Sequence, residues 1–224
     1  MPLQNRVDPF GQIHAVAGRG LFTGNRGVIH DPNTRTLLRR RWTLKAWIVC
    51  RCDFPGVRRE PMGRNRKGGP GEPDEAGWTE LFFLDEVTAL AAGHRPCFYC
   101  RRERANDFRR RFGAALGIGK PRAPMLDARL HAERAASGGV PAAITGADLA
   151  TLPDAVMFAD GDAAYALRGG KALHWSFSGY GEPAVLDRFD GADLRLLTPP
   201  TTVAVLRQGF SPVWHPTAGP TARP

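Results

Sequence analysis

The sequence predicts an α+β fold, and three observations lead there. The N-terminal half alternates short β-prone runs with glycine-rich turns. Two helical patterns occupy the middle of the chain, and the last third spaces short strands with hairpin turns ahead of one more helix. The 224 residues are enough for one domain or two small ones with a sizeable buried core. A change of character near Gly138-Gly139 divides them into 1–134 and 135–224, two parts able to pack together as one domain.

In chain order, Val7 to Asp31 holds Gly11, Gly18, Gly20, Gly24 and Gly27 with short apolar pieces between, which predicts loops and brief strands. Trp42 to Cys50, with its Trp, Ile and Val residues, predicts a strand. Residues 55–77 carry six Gly and four Pro and almost no large apolar side chain, and so predict a flexible, mostly basic loop. Trp78 to Phe83 predicts a further strand. Asp85 to Ala92 predicts a short helix, acidic in its first turn and closed by Gly93. After the second cysteine pair, Ala105, Phe108, Phe112 and Leu116 recur at helical spacing on one face. Beyond residue 138, Val156–Phe158, Ala164–Leu167 and Ala172–Trp175 predict strands, with Asp160-Gly161 and Gly169-Gly170 as hairpin turns. Arg195–Leu197 adds another. Thr198 reads as N-cap, Pro199 as the first residue and Gly209 as the C-terminal stop of a helix over 200–208, followed by a frayed tail after Trp214.

No run approaches the roughly 20 apolar residues of a membrane span, and the first residues lack the apolar core of a secretory signal. A cytoplasmic location without membrane contact is the expectation. The net charge is +9, and its placement is informative: residues 1–134 hold 25 Lys/Arg against 14 Asp/Glu, whereas 135–224 hold 6 against 8. Arginine outnumbers lysine 27 to 4, which a GC-rich coding bias also explains, but that bias does not concentrate the excess at one end. A polyanion such as DNA is therefore the expected partner of the N-terminal part.

The four cysteines form two tight pairs, Cys50/Cys52 and Cys97/Cys100, with 44 residues between them. Cys97-x-x-Cys100 lets one turn offer both sulfurs to one ion, and two such knuckles complete a tetrahedral zinc site that would staple a glycine-rich module. Cys-x-Cys needs a local bend to chelate, so His94 is the substitute for Cys52 in a site of three cysteines and one histidine. A redox dithiol at the start of a helix and a set of ordinary buried thiols are the competing readings.

The run Ala89 to Arg101, with Ala92-Gly93-His94-Arg95-Pro96 leading into Cys97-Phe98-Tyr99-Cys100-Arg101, resembles the second zinc knuckle of the Ada-type domain, which repairs methylated DNA phosphates. The resemblance spans at most residues 42–112. It implies a four-cysteine zinc site that includes Cys97 and Cys100 and places Cys50 on the strand of the first pair. In that family the first pair is separated by three residues rather than one, and the interval between pairs is shorter; the loop at 55–77 accounts for the difference as an insertion. A zinc-bound thiolate of the first pair accepts the methyl group there, a role the resemblance would pass to Cys50.

Arg101 and Arg102 open a helix, where the macrodipole disfavours cations, so a zinc thiolate or a phosphate is expected to offset them. Arg58, Arg59, Arg64, Arg66, Arg95, Arg102 and Arg109 are the candidate DNA contacts, each with a solvated surface role as the alternative. Asp160, Asp162, His174 and His215 suggest a second, hard-metal or acid–base cluster, against which stands ordinary turn and packing chemistry. His14, His30 and His131 have no partner that can be named from sequence. The sequence thus predicts a zinc-binding protein that binds or acts on DNA in repair or maintenance. A metal-dependent nuclease, a thiolate methyl acceptor and a protein-interaction module are the rivals.

Overall fold

The computed structural model describes residues 1–56 and 58–219. The glycine-rich opening becomes strands β1 (Arg6–Val7), β2 (Ile13–His14) and β3 (Phe22–Asn25), followed by a two-stranded ribbon of β4 (His30–Asp31) and β5 (Thr36–Leu37). The strand expected over Trp42–Cys50 is confined to β6 (Ile48–Arg51), because Trp42 to Lys45 bends across the surface. Then come β7 (Leu81–Phe83), helix α1 (Glu86–Ala91), β8 (Arg95–Pro96) and α2 (Arg102–Leu116). The order of this mixed first sheet is β2-β1-β7-β3-β6-β8, with β1/β7 and β6/β8 parallel and the other pairs antiparallel.

Helix α3 (Ala123–Glu133) leads to β9 (Ala143–Ile144) and the short α4 (Gly146–Leu149). The strands β10 (Met157–Asp160), β11 (Ala163–Arg168), β12 (Lys171–Ser176), β13 (Gly179–Ala184) and β14 (Leu194–Leu196) then form an antiparallel sheet ordered β13-β12-β11-β10-β14-β9. Asp160-Gly161 and Gly169-Gly170 do make its tight turns, with positive φ at all three glycines. Helix α5 (Pro200–Arg207) closes the core. Its N-cap is Pro199 rather than Thr198, whose hydroxyl instead accepts the Met157 N–H at 2.8 Å. The expected frayed tail is pinned as far as residue 219 by a turn at Pro216–Ala218, where Thr217 accepts the Tyr180 N–H. Its last residues, 220–224, lie outside the described ones.

Two apolar clusters hold these layers. The smaller fills the first sheet around Val7, Ile29, Val49, Leu81 and Phe83. The larger joins Leu84, Val87 and Leu90 of the α1 segment with Phe108 and Phe112 of α2, Leu126 and Leu130 of α3, and the inner face of the second sheet. It therefore draws on residues from both sides of position 134. The described residues of the loop at 55–77 form no helix or strand but are anchored: Met62 is fully buried, and Arg66 and Glu75 pair through both backbone hydrogen bonds. Among the described residues no helix is long and apolar enough to cross a membrane.

Candidate metal centre

The centre is built by the parallel pairing of two strands distant in sequence. β6 and β8 run in register Ile48↔Arg95 and Val49↔Pro96, and the Cys97 N–H continues the ladder to the Val49 carbonyl at 3.0 Å. The next rung sets Cys50 beside Cys97, at the spacing of neighbouring strands. The chain then turns: the Arg101 N–H reaches the Cys97 carbonyl at 3.1 Å, the Tyr99 N–H donates to the Cys97 sulfur at 3.4 Å, and Cys100 comes round just before α2.

As a result the sulfurs of Cys50, Cys97 and Cys100 all lie within 4.8 Å of one another, the one such metal-capable cluster among the described residues. Two sulfurs bound tetrahedrally to one zinc at about 2.3 Å stand about 3.8 Å apart, so this donor set suits zinc in both chemistry and spacing. The sulfurs also shift one another's protonation. Hydrogen bonds from Cys100 and Cys50 hold the Cys97 thiol far below its ordinary value, as a thiolate. Cys50 is driven far up by its hydrogen bonds to Cys100 and Cys97, together with burial, and keeps its proton. Cys100 is drawn down by Cys50, but its bond to Cys97 and burial outweigh this and leave it raised. A divalent ion would displace the protons that Cys50 and Cys100 retain.

The other proposed ligands lie elsewhere. β6 ends at Arg51, so the rule that places alternate residues on one face stops there, and Cys52 turns out to the surface. His94 is fully buried, its ring 4.6 Å from Phe83 and 5.1 Å from Trp47, and its Nε2 faces the Nε–H of Arg26 at 3.4 Å. Burial, then the charges of Arg26 and Arg134, hold it neutral with a strongly lowered pKa. Those two guanidiniums lie over Trp47, at 3.9 and 3.7 Å from ring centroids, and fix the segment that enters β6.

The arginines divide into two groups. Arg95 is buried and forms a bidentate pair with Asp127 of α3 at 2.7 and 2.9 Å. Arg59 pairs with buried Glu80 at 2.7 Å and lies 4.0 Å over the Trp78 ring. Arg58, Arg64, Arg66, Arg102 and Arg109 are exposed, although Arg66 faces Glu75 at 3.4 Å. Arg101 is buried, and its charge is met by Glu86 of α1, fully buried at 2.9 Å; this answers the cation at the start of α2 with a carboxylate. Arg104 joins the same carboxylate at 3.2 Å.

The three sulfurs border a cleft of about 430 Å³ walled by Phe54, Trp78, Phe82 and Tyr99, with Thr23, Asn25, Arg59 and Glu80 as its polar neighbours. Sequence reasoning did not find this cleft, because its walls come from four separate segments; exposed Tyr99 between two ligands was the available signal. The suggested second cluster does not assemble. Asp160 and Asp162 flank a hairpin turn, exposed His174 packs edge-on to Tyr165, and His215 accepts the Thr217 N–H. Of the remaining histidines, His14 pairs with Asp8 at 2.7 Å, His30 with Thr79 at 2.6 Å and His131 with Arg134 at 3.0 Å. No protein family, curated protein or solved structure matches the chain.

Proposed function

We propose that the chain is a zinc–thiolate protein that associates with DNA, holding one ion through Cys50, Cys97 and Cys100. The observation that carries this reading is the meeting of three sulfurs from two segments, with 46 residues between Cys50 and Cys97, on the part of the chain with the basic excess. When bound, zinc would supply a Lewis-acidic centre and keep its thiolates ionised. Three protein ligands leave the fourth position for a water, a substrate or a mobile Cys52, the arrangement of reactive rather than purely structural sites. Around it, β6 and β8 hold Cys50 and Cys97 in register, and the Glu86–Arg101 pair holds the turn that carries Cys100. The exposed Arg102 and Arg109 on α2, with Arg58, Arg64 and Arg66 on the loop, supply cations for phosphates. Repair or maintenance of DNA is the setting suggested by the likeness of Ala89–Arg101 to an Ada-type knuckle.

Metal analysis of the purified protein tests the first part: one zinc per chain in the wild type and in Cys52→Ser, and a large loss in Cys50→Ser and Cys97→Ser. DNA affinity measured across salt concentrations tests the second. Arg102→Ala and Arg109→Ala should each lower the salt slope by about one, whatever the DNA sequence. Metal-free wild-type protein defeats the zinc reading, and salt-independent or absent affinity defeats the DNA reading.

A further inference from the structure

We propose that the cleft beside the three sulfurs is a binding site for a planar nucleobase-type heterocycle, stacked among Trp78, Phe54 and Tyr99. This rests on the zinc reading above and names the class of molecule the cleft admits. Its volume, about 430 Å³, lies toward the small end of the roughly 300–1,000 Å³ typical of ligand sites. The lining is aromatic rather than aliphatic: Ile48 is its one branched aliphatic side chain, whereas four aromatic rings face it. A lipid tail or aliphatic peptide side chain would be matched by the reverse composition.

Two features favour flat rings in particular. Tyr99 is 76% exposed at the mouth, an aromatic held in water 5.2 Å from the Phe54 ring. Also in the lining, the Arg59 guanidinium lies over the Trp78 ring, 4.0 Å from its centroid, and is kept there by buried Glu80, giving a cation over an aromatic face. Aromatic and guanidinium planes of this kind are what single-stranded nucleic acids use for base stacking. Thr23 and buried Asn25 supply polar groups for a base edge. Beside Cys100, exposed Arg51 and Arg102 line an adjoining hollow placed for a phosphate. The base can come from a free nucleoside or from an unpaired position in a DNA strand, and one set of measurements separates these sources.

The full chain is loaded with Co²⁺, whose visible absorption reports the thiolate centre, and titrated with adenosine, with cytidine, with a short single-stranded DNA and with the same strand made abasic. The expected result is a shift of the cobalt bands with quenching of tryptophan fluorescence by a base-containing probe, and weaker binding of the abasic strand. Response to nucleosides assigns a free ligand; response to the intact strand alone assigns a base within DNA. Tyr99→Ala, at an exposed position, should weaken binding about tenfold while leaving the cobalt spectrum intact, and Trp78→Ala should do the same. Failure of the thiolate–cobalt bands to develop defeats the metal centre itself. If the bands develop, the cleft proposal alone is overturned by indifference to every probe, by equal affinity for the abasic strand, or by wild-type binding in both variants.

Discussion

A histidine two residues from a Pro-Cys pair invites assignment as a ligand, but at His94 burial decides otherwise. Enclosed by Phe83, Trp47 and Arg26, it is neutral in the folded protein and has a pKa well below 6.5. Its contribution to stability is therefore fully present above pH 6.5 and is lost as pH falls from there toward the native value, because the unfolded chain takes up the proton first. His94→Phe should flatten the acid side of the melting curve between pH 7 and 5. It should also cost about 1–3 kcal/mol at neutral pH for the orphaned Arg26 donor. Parallel melting profiles for the two proteins would count against this assignment. Residue spacing made Cys97 and Cys100 legible, since Cys-x-x-Cys is a local geometry. The fates of Cys52, His94 and Arg95 were not legible, because each depends on tertiary surroundings: where β6 stops, what encloses the imidazole, and the presence of Asp127 on a distant helix.

Elements with strong local signals formed where expected. The Asp85 side chain accepts the Thr88 N–H at 2.8 Å and caps α1, and Gly93 with φ of +79° ends that segment. A Cβ at Gly93 would stand 2.7 Å from the Cβ and Cδ of Arg134, in a left-handed backbone conformation. Gly93→Ala should therefore destabilise by about 1–3 kcal/mol or more, read by urea denaturation, and should loosen β8 and Cys97 just beyond it. Elements with weak local signals escaped notice. α3 offers only Leu126 and Leu130 as a buried apolar pair, and no side chain of its N-cap residue holds its start. β13 reads Gly-Tyr-Gly-Glu-Pro-Ala, a composition tolerated because it is the edge of its sheet. The cap of α5, expected at Thr198, was misplaced for a related reason. Its cap is tertiary, with Glu133 of α3 accepting both the Thr201 N–H and its hydroxyl.

At the scale of the molecule, the larger core binds the two sequence halves together. Leu84, Val87, Leu90, Phe108, Phe112, Leu126 and Leu130 pack with the second sheet, so a fragment of residues 1–134 would expose that whole face to water. Such a fragment should show no cooperative thermal transition, whereas the full chain should unfold in one step by fluorescence and circular dichroism. Removing the metal from the proposed three-cysteine centre has a different expected outcome. Neither apolar cluster includes a cysteine, so chelation should lower the melting temperature but keep most of the far-ultraviolet signal. At an ion concentration a thousandfold above Kd the loss should be about 4 kcal/mol. Composition indicated an α+β chain with a basic N-terminal part, but how the halves join depends on long-range packing that no sequence window contains. The excursion between β6 and β7 leaves and re-enters the same sheet on the two sides of β3, and it brings Phe54, Arg59, Trp78 and Glu80 to the cleft. All three clustered sulfurs come from outside that excursion. Grafting a different segment between those strands would therefore re-tailor the proposed binding cleft without replacing any of the three clustered sulfurs, so that the proposed recognition and metal retention could be altered independently.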